Sequence, residues 1–234
     1  MQIDRFEDFL IKQNMSTLLK TNLMKAIYIL TISLFSFLTS IAQVADFDPI
    51  KDLNGFKKLI KTKHANTKTI KSDFTQEKSL SFMDDKLLSK GIMKIKHEMK
   101  VRIEYTSPFA YLIVINGENL WIKDGKKVTK INTGAGNPFS KINNVLLNTL
   151  QGNFENIKGF DASYLENKKQ YLLELTPTET DTKKLFKKIA VYLNHETLEI
   201  MRMDMLEKSG DITKMVFTNT ELNTPIADEV FVVR

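Results

Sequence analysis

The chain has 234 residues, with 34 Lys and Arg against 28 Asp and Glu for a net charge of +6, and 42% of its residues are hydrophobic. That balance describes a folded globular chain and excludes collagen-like, disordered and coiled-coil classes. There is no cysteine, which excludes disulfides, thiolate metal sites, a cysteine nucleophile and lipidation at an N-terminal cysteine.

Residues 26–45 carry no charge and follow Met24-Lys25. Lys25 as a positive n-region, residues 26–38 as an apolar h-region and Ser40-Ile41-Ala42 as small residues at the −3 and −1 positions predict an export signal over 24–42, cleaved before Gln43. A membrane anchor is the competing reading, but Thr31, Ser33 and Ser36 dilute a run already short of the roughly 20 apolar residues a span needs. Asp4, Glu7 and Asp8 suit no n-region, so residues 1–23 are expected to be an upstream extension or a misassigned start. Residues 43–234 then form a single domain, exported to an oxidising compartment where a stray thiol would be a liability.

Asp48-Pro49, followed by Leu53, Phe56, Leu59 and Ile60, predicts an N-cap, a proline at the first helical position and an amphipathic helix to about residue 65. Lys57, Lys58, Lys61 and Lys63 fall on its other face. The period then changes to 2. Ile70, Ser72, Phe74, Gln76 and Lys78 mark one side of a first strand, Met93, Ile95 and His97 part of a second, and 101–105 and 111–115 two more. Asn116-Gly117 and Asp124-Gly125 predict type I′ hairpin turns around the strand 119–123, with 128–131 returning.

After Gly134-Ala135-Gly136, Asn137-Pro138 restarts a helix carrying Phe139, Ile142, Val145, Leu146 and Leu150 at helical spacing. Strands resume from Phe160, over 171–175, 189–193, 198–205 and 212–217, with a last one at 230–233 and a helical turn near 181–186. Ten or eleven consecutive strands without βαβ alternation predict a mainly β, antiparallel α+β fold.

Tests for chemistry are mostly negative. Gly134-x-Gly136 lacks the third glycine of a dinucleotide loop, and no Gly-x-Ser-x-Gly elbow exists. His64, His97 and His195 have no ligand partner at metal spacing, and His64 reads as solvated. Asp84-Asp85 reads as a turn between strands. The lysines 183, 184, 187 and 188 read as a solvated face or a weak attraction to membrane surfaces. Export and the lack of interleaved aromatics argue against nucleic acid. No enzyme activity, cofactor or metal is expected.

An excess of apolar residues remains. The strand 111–115 is apolar on both faces, and Ile200, Met201, Met203 and Met205 add more. Either helices cover the second face of the sheet, or a curved sheet and its covering helices enclose a cavity lined in part by adaptable methionines.

Ser72-Asp73-Phe74-Thr75-Gln76, the run 91–96 leading into Val101-Arg102-Ile103-Glu104-Tyr105, then Pro108, Gly117 and Leu120-Trp121 follow one another in an order that resembles the periplasmic outer-membrane lipoprotein carrier family, LolA. The resemblance covers the chain after the signal and is strongest from Phe56 to Trp121. It implies an incomplete, strongly curved antiparallel β-barrel with lid helices over a hydrophobic cavity that takes lipoprotein acyl chains. Phe74, Met93, Ile95, Ile103, Tyr105, Leu112, Val114 and Trp121 are expected to line that cavity, with Phe139, Leu146 and Leu147 on the covering helix. His97-Glu98 stands where the family often has a basic residue before a proline, which makes His97 the candidate for lid control.

The resemblance further implies a monomeric periplasmic shuttle for acylated lipoproteins. It would meet inner-membrane release machinery, an outer-membrane acceptor and, transiently, the membrane surface. A long acyl chain exposed to water costs on the order of 10 kcal/mol, so a carrier must replace bilayer with cavity. The alternatives are a lipid-sensing or partner-binding β-domain, or a paralogue carrying another acylated cargo.

Overall fold

The computed structural model describes residues 46–96, 100–132, Val145, Asn148 and 157–233. Two segments open it: β1 (Asp48–Pro49) and α1 (Leu53–His64). The helix is capped by Asp52, whose Oδ1 accepts from the Gly55 N–H at 2.8 Å, and not by Asp48. Both aspartates satisfy the capping pattern, but Asp52 stands directly before the periodic run Leu53, Phe56, Ile60. Asp48-Pro49 instead pairs with Glu166 and Leu165, at the end of the sheet order, where a proline's missing N–H breaks no ladder. The inward stripe of α1 is Phe56, Ile60 and His64; Leu59 faces out. His64, expected in solvent, is buried.

A first meander runs β2 (Thr69–Ser79), β3 (Lys86–Lys96), β4 (Lys100–Ser107), β5 (Tyr111–Asn116), β6 (Asn119–Asp124) and β7 (Lys127–Asn132). A second runs β8 (Phe160–Glu166), β9 (Gln170–Pro177), β10 (Phe186–Asn194), β11 (Ile200–Glu207) and β12 (Ile212–Leu222), with the short helix α2 (Thr180–Lys183) between β9 and β10. The two join because β12 pairs antiparallel with β2, giving one sheet in the order β1-β8-β9-β10-β11-β12-β2-β3-β4-β5-β6-β7. The described residues thus form twelve strands where ten or eleven were expected, and among them the sheet stays open. Flat, it would span about 50 Å at ~4.8 Å per strand. Yet one apolar cluster includes Leu173 of β9, Phe217 of β12 and Leu120 of β6, so the sheet curls around its core.

Two local expectations shift. The hairpin loops are Gly117-Glu118 and Gly125-Lys126, because Asn116 pairs with Asn119 and Asp124 with Lys127. Gly117 and Gly125 have φ of 58° and 55° while their followers do not, so glycine takes the first central position, the type II′ pattern and not I′. The expected strand at 230–233 is a 3-10 helix (Asp228–Phe231). Asp228 accepts from Lys96 at 2.6 Å and pairs with Lys100 at 3.2 Å, and Arg102 donates to the Val230 carbonyl at 3.2 Å. These contacts pin the segment across β4 and β5 instead of along a sheet edge.

Candidate functional site

Register decides what faces inward. Phe74 pairs with Gly91, Met93 with Ile103, Ile95 with Val101, Ile103 with Ile113 and Tyr105 with Tyr111. Phe74, Met93, Ile95, Ile103 and Tyr105, all expected at the site, therefore share the inner face of the curl. Phe74, Met93 and Ile95 are buried, whereas Ile103 and Tyr105 are only partly covered.

Leu112, Val114 and Trp121 stand on the other face. Val114 pairs with Arg102 and Trp121, one position out of phase with Ile113, Ile115 and Leu120, which belong to the core. Val114 is fully buried all the same, since the 3-10 helix with Phe231 packs over β4 and β5 on that side. The strand is apolar on both faces because both are covered. Trp121 instead carries Lys130 above its ring, 5.5 Å from the centroid. Phe139, Leu146, Leu147 and His97 lie outside the described residues. Of the segment expected to form the covering helix, Val145 and Asn148 are helical, and Val145 is buried in the core.

The second meander supplies further inner-face residues, of which the sequence pointed only to Met203. Leu173 pairs with Val191, Val191 with Met203, Met203 with Met215, and Phe217 with Phe74. The signal was present as alternation, but it names the inner parity only once β12 is known to pair with β2. Helix α1 covers this half, with Phe56 against Tyr171 at 4.5 Å between ring centroids.

Gly91 allows Phe74 its position. A Cβ at 91 would lie 2.6 Å from the Phe74 Cζ and would also strike the Glu104 carbonyl. The Phe74 ring meets Tyr105 edge-on at 5.1 Å, and Tyr105 meets Tyr111 at 5.9 Å. The Tyr105 hydroxyl donates to Gln76 Oε1 at 2.9 Å, and burial raises its pKa. A groove of about 640 Å³ leads off this aromatic row between Leu87, Ser89, Tyr105, Pro108, Phe109 and Tyr111.

Deeper in, a cavity of about 20 Å³ is lined by His64, Ile70, Ser72, Met93, Ile200 and Phe217, among others. It has room for about one water. His64 Nε2 donates to the Leu198 carbonyl at 3.3 Å, while Nδ1 is buried without a partner. Burial lowers its pKa, so the ring is neutral. Among the described residues no group of three or more His, Asp or Glu could hold a metal. The face offers apolar contact edged by tyrosine hydroxyls, which suits a hydrocarbon chain.

A family model described as outer membrane lipoprotein carrier protein LolA matches residues 65–234. No curated protein matches the sequence. Among solved structures, a LolA superfamily protein from Nitrosomonas europaea is 12% identical, with 77% of this chain and 97% of that one covered at a TM-score of 0.42. A putative outer membrane lipoprotein-sorting protein domain from Vibrio parahaemolyticus is 12% identical, with 76% and 94% covered at 0.43. The lipoprotein LppX of Mycobacterium tuberculosis is 8% identical, with 74% and 98% covered at 0.39.

Proposed function

The chain belongs to the LolA family, and from that premise we propose that it binds the acyl chains of lipoproteins against the inner face of its curled sheet and shuttles them across the periplasm toward the outer membrane. The observation that carries the reading is the apolar inner face shared by the two meanders, with Tyr105 packed against it and also bordering an open groove. Burial of each methylene is worth about 0.8 kcal/mol, so such a face holds a chain without covalent chemistry. The export signal, a monomeric state, inner-membrane release machinery and an outer-membrane acceptor belong to the same proposal.

The interior at His64 is filled by the protein's own side chains to within about 20 Å³, so cargo enters by displacing something. Lid control at His97 is part of this reading: cargo release should depend on pH near its unperturbed pKa of about 6.5, and His97→Arg should slow it. The filled interior also favours a second reading, a lipid-sensing or partner-binding domain that never hands its ligand on.

Organic extraction of the native protein followed by mass spectrometry, and then transfer of a labelled lipoprotein to acceptor vesicles, separates them. Bound acyl species with transfer supports the carrier; bound species without transfer supports the sensor; no bound species, and no uptake of a fluorescent fatty acid, overturns both.

A further inference from the structure

The exposed large apolar side chains are not scattered. The end of the sheet where β2 finishes and β3 begins also holds the β4–β5, β6–β7, β9–β10 and β11–β12 connections, since all neighbours are antiparallel. Phe82 in the β2–β3 loop is 77% exposed, Phe109 in the β4–β5 loop 81% and Leu88 66%, with Met83 and Leu87 also exposed. Leu87 and Leu88 bound one side of the 640 Å³ groove and Pro108 and Phe109 another. The β2–β3 loop is braced at Ser81, whose N–H donates to Asp211 Oδ1 at 2.8 Å, so its tip is presented and not folded back.

We propose that this rim contacts a lipid bilayer, with Phe82 and Phe109 entering the headgroup region on either side of the groove. The proposal rests on the carrier reading for its purpose: a chain leaving a bilayer for the inner face needs the groove to open where the bilayer is.

One observation favours a membrane over a protein partner. The aromatics sit on separate projecting loops, which a planar apolar phase covers together. The same end carries exposed Lys126, Lys127, Lys158, Lys183, Lys187 and Lys208 but also exposed Asp84, Asp85, Asp124, Asp161, Glu179 and Asp181, so its charge is nearly balanced and the contact rests on the apolar tips.

Flotation of the full chain with phosphatidylcholine vesicles, with and without phosphatidylglycerol, tests this. The comparison is wild type against Phe82→Ser/Met83→Ser and against Phe109→Ser, all carrying the same N-terminal segment. Each variant should partition about tenfold more weakly, with phosphatidylglycerol present or absent. Uptake of a fluorescent fatty acid, measured without vesicles, should be unchanged in Phe82→Ser/Met83→Ser.

Equal flotation of all three proteins overturns the membrane contact while intact fatty-acid uptake leaves the carrier standing. Loss of uptake in the wild type overturns the carrier reading instead. Light scattering that shows a wild-type dimer dissolved by Phe109→Ser assigns the rim to a second copy and also overturns the proposal.

Discussion

Gly91→Ala probes the close approach of Phe74 and of the paired strand's Glu104 carbonyl that a glycine permits. The added methyl carbon would stand 2.6 and 2.7 Å from the Phe74 Cζ and Cε1, where ordinary carbon contacts need about 3.5 to 4.0 Å, so the ring must retreat by roughly 1 Å. It cannot do so freely: Phe74 is 1% exposed and packed edge-on against Tyr105. The methyl also meets the Glu104 carbonyl, a backbone atom of the paired strand. Overpacking of a core costs about 1 to 3 kcal/mol, and the backbone clash places this change at the top of that range, about 3 kcal/mol. For a domain of this size that lowers the melting temperature by about 6 to 12 °C.

Urea unfolding followed by Trp121, the single tryptophan, measures the loss. Phe74→Leu in the same chain shortens the ring that the methyl strikes, so the double variant should lose at least about 1 kcal/mol less than the sum of the singles. The Glu104 contact persists, so recovery stays partial. A Gly91→Ala protein within about 0.5 kcal/mol of wild type, or strict additivity with Phe74→Leu, refutes the packing argument.

Phe231→Ala should destabilise by about 3 to 5 kcal/mol in urea, and fatty-acid uptake measured below the unfolding transition should stay unchanged because Phe231 covers the outer face. Ile103→Asp should abolish the fluorescence rise of a hydrophobic probe, whereas Leu112→Asp, on the opposite face, should reduce it little; equal loss would place both on the binding surface. His64 has a folded-state pKa lowered by burial, so the unfolded chain binds the proton first. Stability is therefore complete above about pH 6.5 and falls as pH drops through that value, a slope that urea midpoints should show and His64→Leu should flatten.

The strand sequence was legible because alternation and the glycine turns are local. Strands β2 to β12 were all anticipated, and so was a helix with Phe56 and Ile60 inward. What escaped depends on distant partners. The parity of 111–115 is ambiguous in sequence, since Val114 is covered by a segment more than a hundred residues later. His64 is buried by the carbonyl of Leu198, 134 residues away. Residues 230–233, Val-Phe-Val-Val, are the β-branched and aromatic types a strand favours, but Lys96, Lys100 and Arg102 tie their neighbourhood across β4 and β5. At the site, Phe74, Met93, Ile95, Ile103 and Tyr105 were found together because one meander holds them, while the Leu173, Val191, Met203 and Phe217 half waits on the β12–β2 pairing.

That pairing also sets an order of events. Each hairpin of the first meander closes over a few residues, but the seam joins groups 146 residues apart, as in the Ser72 hydroxyl donating to the Thr218 carbonyl at 2.9 Å. A chain emerging N-terminus first must present β2 through β7 with the inner edge of β2 unpaired until β12 arrives. Non-local pairing of this kind folds slowly and leaves a sticky edge exposed meanwhile. The strand that completes the inner face is thus also the one whose late arrival covers that exposed edge.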